Sequence, residues 1–342
     1  VASPVARTFA AQPPGEVRPT ATVCGAPTVF RPTADDVVVQ VDRTERELSR
    51  LLRSNGIRGG RDACAQLLEL LATAVRPVDR PSAVVLSDGL LRLHRVSAAP
   101  VSGVLADAGV AVGVRADGGT RWCADSAGFR TVEPDHLRWR LAEYAALGAR
   151  FAWWRSVVVV PGGQGPSLAA TNAACAVRFV RSCQAVGLVP VVAVDVRRDG
   201  SHDIWACADA TSVALGALGA AIDDAGLDSG QLVIAAGMVV EGAGHPVSAP
   251  PAMVAAATAG ALGVLPRELA AVLVSLDGQR PGRLARNLDR LRGAALPWPA
   301  AVTGNRVFLD PLLAAWRGTP SSVPDALQAL ARRIDVIRSP RR

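Results

Sequence analysis

Residues 187–203 read GLVPVVAVDVRRDGSHD. A continuous apolar run, Leu188–Val194, follows a glycine and gives way to charged and turn-forming residues. An apolar run without alternation reads as a strand covered on both faces, which is how strands of a parallel sheet are buried. The unit recurs along the chain. Further β-rich runs are Val37–Val41, Ala83–Ser87, Val110–Arg115, Ala149–Val160, Leu232–Met238, Ala271–Leu276 and Ala300–Thr303, which makes eight. Amphipathic segments lie between them, at Glu45–Ser54, Ala63–Ala74, Pro134–Leu147, Ser167–Val186, Ile204–Ala225, Pro251–Leu262 and Arg283–Leu291. Eight buried strands alternating with helices predict the α/β class and a (β/α)8 TIM barrel in a single domain. The barrel is expected over 36–320, after a flexible Pro/Ala-rich arm at 1–35 and before a C-terminal helix and basic tail at 321–342. Such barrels build their sites at the C-terminal ends of the strands.

Composition sets the next bounds. The 342 residues contain 37 Lys+Arg, and every one is arginine. An ordinary chain of this length holds roughly twenty lysines. The skew toward Ala, Val, Leu, Arg, Gly and Pro fits a GC-rich genome, in which lysine codons drift to arginine. The net charge of +7 is scattered apart from Arg332, Arg333, Arg338, Arg341 and Arg342 near the end. No basic and aromatic stripe or nucleic-acid motif accompanies them, so nucleic acid is not an expected partner. The six cysteines form no Cys-x-x-Cys pair and the four histidines lie apart, so no metal site is expected. Reduced core thiols fit an intracellular chain. Val1 reads as a GTG start or as the end left when a targeting peptide is removed. The expected location is the cytoplasm, with an organelle as the alternative. No run of about 20 apolar residues lacks polar interruption, so no membrane span is expected.

Several stretches carry a resemblance. Gly148–Arg155, GARFAWWR, is similar to the Gly-Ala-Asp-Phe-Ala-Lys-Trp-Arg stretch of class I fructose-1,6-bisphosphate aldolases. Gly113–Gly119, GVRADGG, resembles that family's Gly-Ile-Lys-Val-Asp-Lys-Gly. Residues 187–203 resemble its Gly-Ile-Val-Pro-Ile-Val-Glu-Pro-Glu segment and the Asp-Gly-x-His-Asp after it. Val233–Val239, VIAAGMV, aligns with Leu-Leu-Lys-Pro-Asn-Met-Val. Asp277–Leu288 keeps the spacing from Gly-Gly-Gln to Asn-Leu, and Ala314–Gly318, AAWRG, is similar to Lys-Ala-Trp-Gly-Gly. The likeness runs in order over about residues 37–318.

The resemblance implies a TIM barrel, a homo-oligomer, and aldol cleavage through a lysine imine without a bound cofactor. The residues that it maps onto the chemistry have changed. The imine-forming lysine corresponds to Ala235, a second site lysine to Trp153 and a third to Arg115. The paired glutamates correspond to Ala193 and Asp195, and a site serine and glycine to Leu276 and Asp277. The only tyrosine, Tyr144, lies in a helix rather than in a functional tail. Asp42 matches the aspartate of Ala-Asp-Glu-Ser, Arg155 the arginine of Lys-Trp-Arg, and Arg306 a phosphate-binding arginine, with Asn305 in place of its glycine.

Imine chemistry needs an amine that is partly unprotonated and a carboxylate to move protons. Arginine stays protonated and is not a carbonyl nucleophile. Codon drift accounts for Arg115 but not for Ala235 or Trp153. The chain is therefore expected to be an aldolase-like pseudoenzyme that binds a phosphorylated or other small ligand, or a protein partner. Altered, lysine-independent lyase chemistry through Asp42, Arg155 and Arg306 is the alternative, and a structural subunit is the third reading. Ala193, Val194, Ala235, Ala236, Trp153 and Leu276 predict a more apolar mouth, either partly plugged by Trp153 or open to a smaller or greasier ligand. Arg155 reads equally as a carboxylate-paired barrel residue. Asp195 is a weaker candidate base, and Glu241 and His245 are candidates to line the mouth. The glycine-rich Pro161–Ser167 reads as a turn, because it lacks the lysine of a P-loop.

Overall fold

Inward and outward side chains alternate along each strand, and this alternation separates two apolar layers. The computed structural model describes residues 30–74, 76–94, 100–160 and 165–338. Eight of its strands close into a parallel barrel in the order β1-β10-β9-β8-β7-β6-β3-β2. They are β1 Val37–Val41, β2 Ala83–Leu86, β3 Ala111–Arg115, β6 Phe151–Val158, β7 Val189–Val196, β8 Val233–Gly237, β9 Ala271–Ser275 and β10 Ala300–Gly304. The barrel is a single domain and agrees with the eight predicted strands to within two residues at each end.

Val38, Phe151, Trp153, Ala193, Ala235 and Leu273 belong to the cluster that fills the barrel. Phe30 stacks on Phe151 at 4.1 Å between ring centroids. The close packing explains Gly113: a Cβ there would stand 2.1 Å from the Phe151 ring. The larger cluster lies between strands and helices and takes in Val39, Trp154, Val192 and Ile234.

Two features were not predicted. An antiparallel hairpin, β4 Thr120–Cys123 with β5 Gly128–Thr131, rises from the loop after β3. Thr131 anchors it by donating its N–H to Asn172 Oδ1 at 2.9 Å and its hydroxyl to the Arg155 carbonyl at 2.9 Å. Helices Val101–Asp107 and Arg306–Trp316 were also missed. The predicted C-terminal helix is Val323–Arg338, and its Ala326, Leu330, Ile334 and Ile337 join the main core. Arg332, Arg333 and Arg338 of the expected tail lie on this helix. Arg338 Nε donates to the Asp35 carbonyl at 2.8 Å. The arm at 1–29, Cys24, most of the glycine-rich turn (161–164), Arg341 and Arg342 lie outside the described residues.

Helix Ile204–Asp224 is long and apolar enough to cross a membrane by length and composition alone. Here it packs between helices Pro166–Gln184 and Pro251–Leu262. Cys64, Cys123, Cys175, Cys183 and Cys207 are free thiols.

Candidate functional site

The C-terminal ends of the strands surround an open cavity of about 490 Å³. Its lining corrects the expectation of an apolar mouth. Arg43, Arg115, Arg155, Arg198 and Arg306 face it, with Asp42, Glu47, Asp195 and Asp277. The strand pleat explains the difference. Val194, Ala236 and Leu276 point outward into the strand–helix core. Ala193, Ala235 and Trp153 point inward but lie in the barrel's interior cluster, and none of them is on the cavity wall. Trp153 is only 2% exposed and leaves the mouth above it open.

One side of the mouth is organised by Asp117, whose side chain is fully buried. It accepts from Arg115 Nε at 3.1 and 3.2 Å and from Nη2 at 2.9 Å. It also takes the N–H of Gly119 at 2.9 Å and that of Arg155 at 3.2 Å. Asp42, just beyond β1, stands 3.6 Å from Arg115. Burial alone would lower the Arg115 pKa, but the hydrogen bonds to Asp117 hold it above its ordinary value.

Arg155 and Asp195 face each other across the β6–β7 pair, at 3.8 Å from Nε to Oδ2. The Arg155 Nε is buried and has no hydrogen-bond acceptor. Burial pushes the Asp195 carboxyl up to about 6; Arg155 pulls it back, while Asp42, Asp277 and Asp117 raise it further. Its side chain is nevertheless 39% exposed to the mouth, so a proton can reach it.

Opposite, Asp277 follows β9 and caps helix Arg306–Trp316. Its Oδ2 accepts the Asn305 N–H at 2.7 Å and its Oδ1 the Val307 N–H at 3.3 Å. Burial raises its pKa despite these donors. Asn305 Nδ2 donates to the Gln40 carbonyl at 2.6 Å. Arg306 stands on the rim, 74% exposed, and pairs with Asp310 at 3.2 Å.

Sequence reasoning missed Arg198, the second arginine past the end of β7. Of the two arginines directly after β7, Arg198 lines the cavity while Arg197 pairs with Asp199, so position after the strand alone does not single out Arg198. Glu241 and His245 do not line the cavity, correcting that expectation. Burial would raise the Glu241 pKa, but the Arg283 guanidinium overrides it and holds the carboxyl at about 2. His245 is half-buried and bonds locally to Val247. Asp203 caps its own helix through the Ala206 N–H at 2.8 Å, and His202 is buried. Among the described residues, no three His, Cys, Asp or Glu side chains gather as metal ligands.

Comparison with known proteins agrees with this geometry. A profile of the family "Fructose-bisphosphate aldolase class-I" matches residues 34–339. The chain is 32% identical over 303 residues to the cytoplasmic isozyme of fructose-bisphosphate aldolase from Cicer arietinum, covering 86% of this chain and 84% of that one. It is 30% identical over 284 residues to a "Probable fructose-bisphosphate aldolase class 1" of Xanthomonas campestris pv. campestris, covering 82% and 85%. The fold resembles that of fructose-bisphosphate aldolase from Plasmodium falciparum, solved with TRAP and a small-molecule inhibitor. There the TM-score is 0.83, with 22% identity and 89% of each chain covered.

Proposed function

Because the chain belongs to the class I fructose-bisphosphate aldolase family, we propose that it is a pseudoenzyme of that family, which binds a small anionic molecule at the barrel mouth without imine chemistry. One observation carries the reading: none of the 342 residues is lysine, and Ala235, at the position of the imine lysine, is a one-carbon side chain inside the barrel. Loss of a covalent nucleophile costs on the order of 10⁶-fold in kcat in a serine protease. Ala193 also leaves the proton-moving position without a carboxylate. The open, arginine-lined cavity supports binding, and its volume suits a small metabolite.

The test is borohydride reduction with dihydroxyacetone phosphate, followed by intact mass. No adduct and no cleavage of fructose 1,6-bisphosphate are expected. Turnover near that of ordinary aldolases defeats the proposal. The family resemblance also supports a homo-oligomer in the cytoplasm, which light scattering after gel filtration and fractionation would check.

Asp195 favours a second reading, a lysine-independent enzyme. A carboxyl that ionises near 6 is suited to exchange protons at neutral pH. Deuterium exchange at the α-carbon of dihydroxyacetone phosphate would then rise through pH 6 and vanish in D195N. No exchange by the native protein removes this reading.

A further inference from the structure

We propose that the mouth takes a ligand with a single anionic group, seated on Arg198, because the chain's own Asp277 already fills a second anion position. This rests on the reading of the mouth as an anion site and names the ligand class.

Arg198 is a cation held in place without a counter-ion. Its side chain lies along Gly278, where a Cβ would stand 2.9 Å from Nη1 and 3.0 Å from Cδ. Its Nη2 donates to the Glu241 carbonyl at 3.2 Å. Its Nε and Nη1 are buried with no acceptor. Among the described residues no carboxylate forms a salt bridge with it. The neighbouring acid, Glu241, is already gripped by both terminal nitrogens of Arg283. Burial and the Arg283 charge lower the Arg198 pKa, and the charge of an arriving anion offsets both. Buried polar atoms without partners are rare in native structures, and an absent ion is one of the accepted causes. The Arg155 Nε, also buried and without a hydrogen-bond acceptor though 3.8 Å from Asp195, belongs to an arginine of the same cavity.

At Asp277, the residue before the Gly278 that Arg198 packs on, the situation is reversed. The first N–H groups of a helix bind anions through their free hydrogens and the helix dipole. At helix Arg306–Trp316 those of Asn305 and Val307 are taken by the Asp277 carboxylate. Arg306, next to them, is turned to the rim and paired with Asp310. An anionic group entering here meets a carboxylate instead of free donors. A molecule with one anionic group therefore satisfies Arg198 without repulsion. A bisphosphate held on Arg198 carries a second charge that the helix end beside Asp277 does not accept, because its N–H groups are already taken.

Titration calorimetry with inorganic phosphate, fructose 6-phosphate and fructose 1,6-bisphosphate tests this on the full chain. Fructose 6-phosphate is expected to bind more tightly than the bisphosphate. R198Q should weaken fructose 6-phosphate binding by about tenfold or more, and R198K, which keeps the charge, by less. D277N should raise bisphosphate affinity relative to the monophosphate by about tenfold. Equal fructose 6-phosphate binding by R198Q and native protein overturns the assignment while leaving the anion-binding reading intact. So does a native preference for the bisphosphate that D277N leaves unchanged. If the native protein binds none of the three probes, the anion-binding reading itself fails.

Discussion

Replacement of Asp117 by alanine tests how the mouth is held together. The carboxylate is sealed from solvent and has four partner groups: two nitrogens of Arg115 and the backbone N–H groups of Gly119 and Arg155. Removing one member of a buried ion pair costs about 3–5 kcal/mol, because the other charge is left unpaired. Arg115 is 23% exposed and Asp42 stands 3.6 Å away, so water and that second carboxylate take up part of the charge. The lower end, about 3 kcal/mol, is the expected loss. D117N keeps an acceptor for Gly119 but loses the charge, and about 2 kcal/mol is expected. Urea unfolding measures both, with the midpoint falling at unchanged slope. A midpoint loss equivalent to under about 1 kcal/mol for D117A refutes the assignment of Asp117 as the anchor of this wall.

Three further outcomes follow from other contacts. A Cβ on Gly242 would stand 2.3 Å from the Gly200 carbonyl, so G242A must part the loops that carry Arg198 and Glu241; a loss of about 2–3 kcal/mol is expected, and an unchanged melting temperature contradicts the close approach. Glu241 ionises at about 2 rather than 4.5, so its contribution is fully present above pH 4.5 and is lost as pH falls toward 2. E241Q should cost about 2 kcal/mol at neutral pH and flatten the acid limb of stability; an acid limb as steep as the native one counts against the Arg283 pairing. A235K should give no aldolase turnover in a coupled assay and a lower melting temperature, since an amine placed among Trp153, Ala193 and Leu273 is poorly hydrated; restored cleavage refutes the view that one amine is insufficient.

The barrel was legible because parallel strands covered on both faces leave apolar-rich runs, and all eight were readable as such even where Arg155 interrupts one. The hairpin was not, because four-residue strands such as Thr120–Cys123, largely exposed, carry no apolar run to detect. The site was legible in part. Asp42, Arg115, Arg155 and Asp195 stand at the mouth, as their positions near strand ends imply. The apolar residues near the strand ends do not make the mouth apolar, because the pleat sends alternate side chains to opposite faces and the inward ones lie deeper in the barrel. Leu276 and Asp277 illustrate it: the leucine enters the outer core, while the aspartate turns back onto a helix end. That turn is a tertiary contact over 28 residues, and no local pattern encodes it.

The three positions that the resemblance maps onto family lysines are filled by different physical means, and this bears on reversibility. Arg115 retains a cation, now committed to Asp117 and Asp42. Trp153 retains none and adds bulk within the barrel. Ala193 and Ala235, paired in register on β7 and β8, are small and share Trp153's cluster. Interiors are filled to near crystal density, so a large side chain at one position is compatible with small ones nearby. A lysine returned to 235 must compete with the indole for the same interior, and a glutamate returned to 193 would be buried beside it. A long amine side chain at 235 and the indole at 153 thus compete for volume in one interior cluster. An order of restoration follows from that competition: Trp153 must be reduced in size before either neighbour can regain a long polar side chain without overpacking.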